Sequence, residues 1–380
     1  MDASKLSWVE IDSIALGDNI ENLKKCLGSD VIFAPVIKSN AYGHGFKQIL
    51  SLLVQQEINT ICVAFLEEAL TLKQKFPHLR VICLGYIGLN DLELALQENV
   101  EMVVFNAETI SQLSKISQKS GITGKIHLKL ETGTNRQGFL ENEIDSVLSL
   151  VKSSPGVNIA GLSTHYANIE DTTEHHYARG QLDKFKSLSQ HITSQLDYPL
   201  TLHTACSAAA ILFPETQFNL VRVGISLYGL WPSKETLLSA KLSGHRIELK
   251  PVLTWKTVVS QIKQVPSGSF VGYGCTYKTT APATLAYLPI GYYDGFDRHL
   301  SNQGWVLIKG NRAPVRGRVC MNVVIVDVTN IPGVELEDEV VLIGSQRSET
   351  ISAETMASLC GTINYEVVTR INPLIRRVIK

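Results

Sequence analysis

Eight short apolar runs, separated by segments with helical patterning, constrain the fold of this chain more than any other feature. The runs are rich in β-branched residues and apolar on both faces, as expected of parallel strands that helices cover. Eight successive βα units predict a closed (β/α)8 barrel, with a doubly wound open sheet as the competing arrangement. The runs are VIFAPVI from Val31, TICVA from Thr60, RVICLG from Arg80, EMVVF from Glu101, KIHLKLE from Lys125, NIAGLSTH from Asn158, LTLHTA from Leu200 and NLVRVGI from Asn219.

The patterning changes near residue 240, where strand-like segments follow one another with Gly, Pro and Asn turns and little helix between them. This texture predicts a second, mostly antiparallel β domain. We therefore expect a barrel over residues 1–240 and a β domain over 241–380, with residues 1–12 as a candidate strand of the β domain. Within the second domain, SAETMASLCG predicts one helix, with Ser352 as its N-cap and Gly361 after its last turn.

Composition narrows the class of function. The chain has 380 residues, with 35 Lys and Arg against 36 Asp and Glu, so its net charge of −1 favours neither nucleic acid nor an anionic membrane. The N-terminus lacks the features of a signal peptide, and no apolar run reaches the roughly 18 residues of a spanning helix. Seven scattered cysteines without a C-x-x-C pair predict reduced thiols. These features indicate a soluble cytoplasmic protein that acts on a small molecule.

The segment VIKSNAYGHG, from Val36 to Gly45, ends the first strand on Lys38. A lysine enclosed in a pocket loses its proton more easily and can form a Schiff base with an aldehyde such as pyridoxal phosphate. Tyr42 and the glycines that follow suit an anionic group such as a phosphate. A lysine that only caps a strand, followed by a glycine turn, explains this segment alone equally well.

Other polar residues also fall where strands end. Because the carboxyl ends of barrel strands converge on one rim, these residues are expected to lie near Lys38. Backbone amides after the last strand are typical phosphate ligands, and a guanidinium in a glycine-flanked loop can hold a carboxylate or phenolate. Each residue taken singly also fits a structural role. The candidates are Arg136 in the loop Gly133–Gly138, His165, His203, Ser207, Arg222, Gly224 and Ile225.

Taken together, nine separated motifs resemble the alanine racemase family in order and spacing over essentially the whole chain. The motifs are VIKSNAYGHG, ETGTNRQG, STHYA, HTACSAA, VRVGISLYG, VGYGCTY, IGYYDGFDR, GRVCMN and TINYEVVTRI. The resemblance implies a homodimeric, pyridoxal-phosphate-dependent isomerase that interconverts L- and D-alanine and supplies D-alanine for peptidoglycan. A racemase of the same family acting on serine or on a broader set of amino acids is the alternative.

The resemblance also implies a role for each matching residue. Lys38 would be the Schiff-base lysine and the base on the D face, and Tyr273 the opposite base, which the partner subunit supplies. Abstraction on one face and protonation from the other is what inversion requires. Tyr42, Ser207, Tyr365, Gly224 and Ile225 would hold the cofactor phosphate, and Arg222 would face the pyridine nitrogen, with His203 and His165 in a hydrogen-bond chain toward Tyr273.

The remaining roles concern the substrate and its approach. Arg136 would contact the cofactor phenolate, and Lys129, a position that is carbamylated in many members, would orient Arg136. Met321 would offer its backbone amide to the substrate carboxylate. Tyr292 and Tyr365 would narrow the entrance, and Arg298 and Arg318 would line the path to it. The chain departs from the family's commoner residues at Cys206, Cys275, Tyr293, Phe296 and Asn322.

Three other readings compete with a racemase. An amino-acid decarboxylase would need a carboxylate at the cofactor nitrogen, and Arg222 argues against it. A non-catalytic cofactor carrier would not need the long region after residue 240. A metal hydrolase could use His165, His175, His176 and His203, but His175 and His176 lie in the polar stretch EDTTEHH, which is typical of a solvated helix start. No metal is therefore expected.

Overall fold

The structure, a computed structural model, describes residues 6–244 and 247–380. The chain divides into two compact units. The barrel unit comprises Gly17–Lys38 and Leu50–Leu249, and the β unit comprises the residues up to Leu16, Ser39–Ile49 and Lys250–Lys380. The first strand, β1 (Ser7–Ile11), belongs to the β unit.

A closed ring of eight parallel strands forms the centre of the barrel unit. Six of the strands pair in chain order, and the first and last strands of the ring pair with each other. The ring closes through two further junctions: the Ile37 amide donates to the Cys62 carbonyl at 3.0 Å, and the Arg222 amide donates to the Ala205 carbonyl at 3.0 Å. The predicted (β/α)8 barrel is confirmed, and the open sheet is excluded. The strands are β2 (Ile32–Pro35), β3 (Thr60–Val63), β4 (Arg80–Cys83), β5 (Glu101–Val104), β6 (Gly124–Lys129), β7 (Val157–Ser163), β8 (Thr201–His203) and β9 (Leu220–Val223).

Helices alternate with these strands, and capping residues define the ends of some of them. The helix Ala107–Ser120 is an example. Its N-cap residue is Asn106, whose side chain accepts the Thr109 amide at 2.9 Å, and its C-cap residue is Gly121, which has a φ of 72°. Its buried residues Ile110 and Leu113 face the strands. The helical segments of this part of the chain are α1 (Ser13–Lys24), the left-handed turn α2 (Lys38–Tyr42), α3 (Phe46–Gln55), α4 (Leu66–Lys75), α5 (Leu92–Gln97), α6 (Ala107–Ser120), α7 (Ile144–Lys152), α8 (His176–Thr193), α9 (Ser207–Leu212) and α10 (Lys234–Leu242).

The strands of the β unit after β1 are β10 (Leu253–Val258), β11 (Gln261–Val265), β12 (Phe270–Val271), β13 (Tyr277–Lys278), β14 (Ala283–Leu288), β15 (Trp305–Ile308), β16 (Asn311–Pro314), β17 (Val324–Asp327), β18 (Glu339–Gln346), β19 (Glu349–Ile351) and β20 (Arg376–Ile379). They form a mixed sheet in the order β16-β15-β18-β10-β1-β20, a three-stranded sheet β11-β14-β17 and a hairpin β12-β13. β1 runs antiparallel to β10 and parallel to β20. Trp255 on β10 is fully buried and packs near Phe296, with 6.4 Å between ring centroids.

Two helices complete the β unit: α11 (Ala353–Cys360) and α12 (Asn364–Thr369). The caps predicted for α11 are confirmed: the Ser352 hydroxyl accepts the Thr355 amide at 3.1 Å, and Gly361 adopts a φ of 68°. Across residues 6–244 and 247–380, every helix is too short or too polar to span a bilayer.

Candidate active site

Lys38 lies directly after the buried Ile37, at the carboxyl end of β2, and its side chain is half-buried. Burial lowers the pKa of Lys38, and the guanidinium groups of Arg136 and Arg222 lower it further, while Glu68 partly offsets them. All of these groups belong to the barrel unit. The amine of Lys38 therefore loses its proton more easily than an exposed lysine, as a nucleophile or a base requires.

The backbone after Lys38 winds in the left-handed sense for four residues. Ser39, Asn40, Ala41 and Tyr42 have φ between 52° and 56°, although none is a glycine. This conformation costs about 1–2 kcal/mol per residue, so surrounding contacts must enforce it. The side chain of Asn40 accepts the Phe46 amide at 2.8 Å, which ties the turn to the start of α3.

Arg377 pins the end of this turn within the β unit. Its Nε and Nη2 donate to the Gly43 carbonyl at 3.1 and 2.9 Å. Its remaining N–H groups donate to the carbonyls of Ile371, Asn372 and Ile375, so that all five guanidinium donors meet backbone acceptors. A Cβ at Gly43 would lie 1.8 Å from the Val368 carbonyl oxygen, and the φ of Gly43 is +82°. The segment after Lys38 is therefore held by close packing.

Tyr42 is buried in the β unit next to Tyr365, with 6.1 Å between ring centroids. The ring of His44 contacts the Tyr42 carbonyl through Nδ1 at 2.9 Å. Burial lowers the pKa of His44 to about 4, against the backbone hydrogen bonds, so His44 is neutral at pH 7 and donates this bond. Both tyrosines that were predicted to bind phosphate thus lie side by side.

Arg222 on β9 is buried, with 7% of its surface exposed. Its Nη1 donates to Nδ1 and to the carbonyl oxygen of His203, at 2.6 and 2.7 Å. Its Nη2 donates to the carbonyls of Thr164 and Thr204, at 2.8 and 3.1 Å. Four of the five N–H groups are therefore used among the described residues, and the Nε–H is left for a ligand.

His203 continues from Arg222 into the barrel interior. Its Nε2 lies 2.9 Å from Nδ1 of His127, and Nε2 of His127 lies 2.8 Å from a carboxylate oxygen of Glu101. Both ring nitrogens of His203 are thus occupied, one by Arg222 and the other by His127. His127 and Glu101 were missed in the sequence, where a histidine and a glutamate inside otherwise apolar strands were the available signal.

His165 and Lys129 lie in the same charged environment at the barrel rim. Burial lowers the pKa of His165 well below its ordinary value, and Arg222, Arg136, Lys129 and Lys38 add to the effect. Burial likewise lowers the pKa of Lys129 to about 8, again with Arg136 and Arg222. Nζ of Lys129 donates to Oε1 of Gln137 at 3.3 Å. The structure therefore brings the predicted Lys38, Lys129, Arg136, His165 and Arg222 into one electrostatic cluster.

Ser207 and the residues after β9 form a second group in the barrel unit. The Ser207 hydroxyl accepts the Gly224 amide at 3.0 Å and the Ser226 amide at 3.4 Å. The hydroxyl of Ser226 is buried and has no partner among the described residues. Ile225 begins a short 3-10 helix, so its amide points back toward its start. Amides and hydroxyls gathered in this way suit an anionic oxygen ligand.

The β unit presents its predicted site residues at its surface. Tyr273 is 74% exposed and sits after the strand β12, between Gly272 and Gly274, whose φ angles are 72° and 73°. The Tyr292 amide donates to the Cys320 carbonyl at 3.0 Å, which joins the loop of Tyr292 to that of Met321. Tyr292 and Met321 are 44% and 55% exposed. Arg298 and Arg318 are exposed as well.

A metal hydrolase gains no support from the histidines. In the part of the chain that the structure describes, no group of three or more His, Cys, Asp or Glu side chains is arranged to hold a metal ion. His203 already uses both ring nitrogens, and His175 packs on the ring of Phe213 with 4.8 Å between centroids.

Family models cover almost all of the chain. The model of the alanine racemase N-terminal domain matches residues 11–232, and that of the alanine racemase C-terminal domain matches residues 252–379. The alanine racemase of Leptospira interrogans is 37% identical over 377 residues, which cover 98% of this chain and 95% of that protein.

Solved structures agree with the family models. Alanine racemase from Bacillus anthracis with bound L-Ala-P superposes with a TM-score of 0.92 at 33% identity, over 100% of this chain and 96% of that chain. Alanine racemase from Bartonella henselae with covalently bound pyridoxal phosphate gives a TM-score of 0.86 at 29% identity, over 99% and 100% of the two chains.

Proposed function

Because the chain belongs to the alanine racemase family, we propose that it interconverts L- and D-alanine with pyridoxal 5'-phosphate attached to Lys38. The chain is an isomerase of this family. The observation that carries the cofactor proposal is the environment of Lys38: a half-buried amine at the barrel rim, whose pKa is lowered by burial and by two arginines. Such an amine is suited to attack an aldehyde at neutral pH.

The other groups of the barrel unit fit the remaining parts of this cofactor. The Nε–H of Arg222, the one guanidinium donor without an acceptor among the described residues, would face the pyridine nitrogen. Ser207 and the amides of Gly224 and Ile225 would hold the phosphate, together with Tyr42 and Tyr365. When bound, the cofactor would take up the substrate amine and acidify its α-hydrogen. An arginine cannot give up its proton at neutral pH, so Arg222 would orient the ring without protonating it.

Inversion requires a proton to leave one face of the α-carbon and another to arrive on the opposite face. We assign the D face to the Lys38 amine and the L face to the Tyr273 phenol. The high exposure of Tyr273 supports a role in the site of a second copy of the chain, which would make the enzyme a homodimer with shared sites. Each phenol would then be buried only on assembly.

The supporting residues follow the same proposal. Arg136, oriented by Lys129, would contact the cofactor phenolate, Met321 would bind the substrate carboxylate through its amide, and Tyr292 and Tyr365 would narrow the entrance. His165, held neutral by its surroundings, would complete the polar lining of the barrel rim. D-alanine from this reaction would supply peptidoglycan synthesis. All seven cysteines are free, which supports a reducing, cytoplasmic location.

The attachment site can be tested by absorbance spectroscopy and polarimetry. The purified protein should carry a visible absorption band, racemise L-alanine, and retain the cofactor on the Lys38 peptide after borohydride reduction, as peptide mass spectrometry would show. Lys38→Ala should lose the band and the activity. Lys47→Ala, which removes an exposed lysine nearby, should retain both. A Lys38→Ala protein that keeps a reducible band would contradict the assignment.

A further inference from the structure

The barrel interior contains a row of buried polar side chains that the proposed roles of Lys38 and Tyr273 do not explain. Glu101 is the first residue of β5, His127 lies within β6, and His203 is the last residue of β8. Together with Arg222 they form a continuous chain of contacts of 2.6, 2.9 and 2.8 Å. Because parallel strands share one direction, this row of hydrogen bonds runs from the carboxyl rim toward the amino end of the barrel.

The chemistry of the two ends fixes the direction of every hydrogen bond in between. Arg222 can only donate, so Nδ1 of His203 must accept, and the proton of His203 must sit on Nε2. That proton is donated to Nδ1 of His127, whose own proton must then sit on Nε2 and be donated to Glu101. A proton added to His127 at Nδ1 would face the Nε2–H of His203. Both histidines are therefore neutral, in agreement with the lowering of their pKa by burial.

Glu101 is a stable terminal acceptor. Arg80 donates to it through Nε at 3.0 Å and through Nη2 at 2.8 Å. Burial would raise the pKa of Glu101, but the hydrogen bonds from His127 and Arg80 lower it to about 2. The carboxylate is thus ionised at any pH at which the enzyme works, and it accepts without donating.

A glycine on the intervening strand makes room for the contact between His127 and His203. β7 lies between β6 and β8 in the sheet, so the contact between His127 and His203 passes over it. The residue at the crossing is Gly161, where a Cβ would lie 2.4 Å from Nδ1 of His127. The atom that the Cβ would displace is the same one that accepts the proton of His203.

We propose that Glu101 and His127 are positioning residues that fix the tautomer of His203 and, through it, the orientation of Arg222. This inference rests on the proposed function, in which the Nε–H of Arg222 faces the pyridine nitrogen. With His203 held as an acceptor, both N–H groups of Nη1 are committed to His203, and the guanidinium plane is set. Without the terminal acceptor, His203 is free to carry its proton on Nδ1, where it opposes Nη1 of Arg222.

The tautomers can be observed directly by neutron diffraction from deuterium-exchanged crystals of the holoenzyme. We expect deuterium on Nε2 of both His127 and His203 and none on their Nδ1 atoms. Deuterium on Nδ1 of His203, or on both nitrogens of either ring, would overturn the proposal. This measurement needs no variant and does not depend on catalytic activity.

Two substitutions at one position separate the acceptor from the charge. Glu101→Gln and Glu101→Leu both remove the ion pair with Arg80, but only the glutamine keeps an oxygen that accepts from His127. Glu101→Leu should lower kcat about 10- to 100-fold and weaken cofactor affinity by a similar factor, as loss of an outer orienting partner does. Its KM for alanine should change little. Glu101→Gln should stay within about threefold of the parent enzyme in all three quantities.

Thr201→Val is the matched control, because Thr201 contacts Arg80 at 3.3 Å without belonging to the chain from Glu101 to Arg222. It should leave kcat and cofactor affinity unchanged. Equal kcat losses in the leucine and glutamine variants would show that the charge, and not the acceptor, matters, and would overturn the proposal. An enzyme with the expected tautomers that fails to racemise alanine would instead contradict the proposed function and leave the positioning of Arg222 intact.

Discussion

The barrel interior and the exposed face of the β unit both contain predicted site residues. The two regions differ in how deeply these residues are buried and in how many of their polar groups find hydrogen-bond partners within one chain. Arg222 is 7% exposed and has acceptors for four of its five N–H groups. Tyr273 is 74% exposed, and Tyr292, Tyr293 and Met321 are exposed beside neighbouring glycine turns. Aromatic and methionine side chains at a surface are typical of an interface. The difference fits the proposal that the exposed residues of the β unit act in the site of a second copy of the chain.

The strongest test of this contrast uses hybrid dimers. Lys38→Ala and Tyr273→Phe should each lower activity by roughly 100- to 10,000-fold or more, because each removes one of two bases. A hybrid that pairs these two chains regains one intact site if Tyr273 acts on the partner, so its activity should be about half that of the parent dimer. Co-expression with two affinity tags and tandem purification would provide the hybrid for polarimetry.

The reciprocal hybrid is the control. A parent chain paired with a chain that carries both substitutions has no intact shared site, so it should be inactive. If Tyr273 instead served its own barrel, this second hybrid would be about half active and the first inactive. That result would show that Tyr273 acts in the site of its own chain, and it would contradict the assignment of the exposed face of the β unit to a second copy.

A second prediction concerns the part of the β unit that is closely packed. Gly43→Ala places a Cβ 1.8 Å from the Val368 carbonyl at a φ of +82°, so it should destabilise the protein by about 3 kcal/mol or more. It should also weaken cofactor binding, since the left-handed turn joins Gly43 to Lys38. Urea unfolding would measure the stability.

Gly180→Ala is the matched control for this substitution. Gly180 lies within α8, and nothing lies within 4 Å of its added Cβ, so alanine should stabilise the protein by about 0.5–1 kcal/mol. Similar small effects at the two glycines would show that close packing does not hold the segment after Lys38.

The sequence predicts what depends on local pattern and misses what depends on register between distant strands. Apolar runs on both faces identify the barrel, and Ser352 and Gly361 identify both ends of α11. The contact of His127 with His203 joins residues 76 apart and crosses the glycine at position 161, and no local pattern encodes that crossing.

The left-handed turn was missed for a related reason. Ser39, Ala41 and Tyr42 disfavour a positive φ, and local propensity argues against the conformation that they adopt. The carbonyl contacts of Arg377, more than 300 positions away, enforce it: the bonds to Gly43 have a sequence separation of 334 residues. Tertiary contacts therefore decide the structure next to the predicted catalytic lysine.

A third prediction uses pH, because both units bury neutral histidines. The pKa of His44 is about 4 in the folded protein, below the roughly 6.5 of an unfolded chain, so its contribution to stability is complete above pH 6.5. As the pH falls through this window the unfolded state takes up the proton first, and up to about 3 kcal/mol is lost by pH 4. His127 and His203 act with the same sign.

Urea unfolding at several pH values between 7 and 4 would measure this loss. His44→Gln should have lower stability at pH 7 but a flatter dependence on pH, whereas His78→Gln, at an exposed position, should follow the parent curve. If His44→Gln kept the full slope, the burial of His44 in the β unit would contribute nothing to acid sensitivity, and the barrel histidines alone would explain it.

The smallest expected effect is on stability and concerns the N-terminal cap of α9. Cys206 is the N-cap residue of α9, and its thiol lies near the amides of Ala208 and Ala209, but sulfur accepts hydrogen bonds weakly. Burial raises the pKa of Cys206 to about 11, so no thiolate strengthens these contacts at pH 7. Cys206→Asn supplies an oxygen acceptor and should raise the free energy of unfolding by about 0.5–1 kcal/mol, while Cys206→Ala should not. Thermal unfolding of both variants would show whether the backbone amides at the start of α9 lack a good acceptor. If Cys206→Asn had no effect, these amides would already be as well hydrogen-bonded as the groups in the barrel interior.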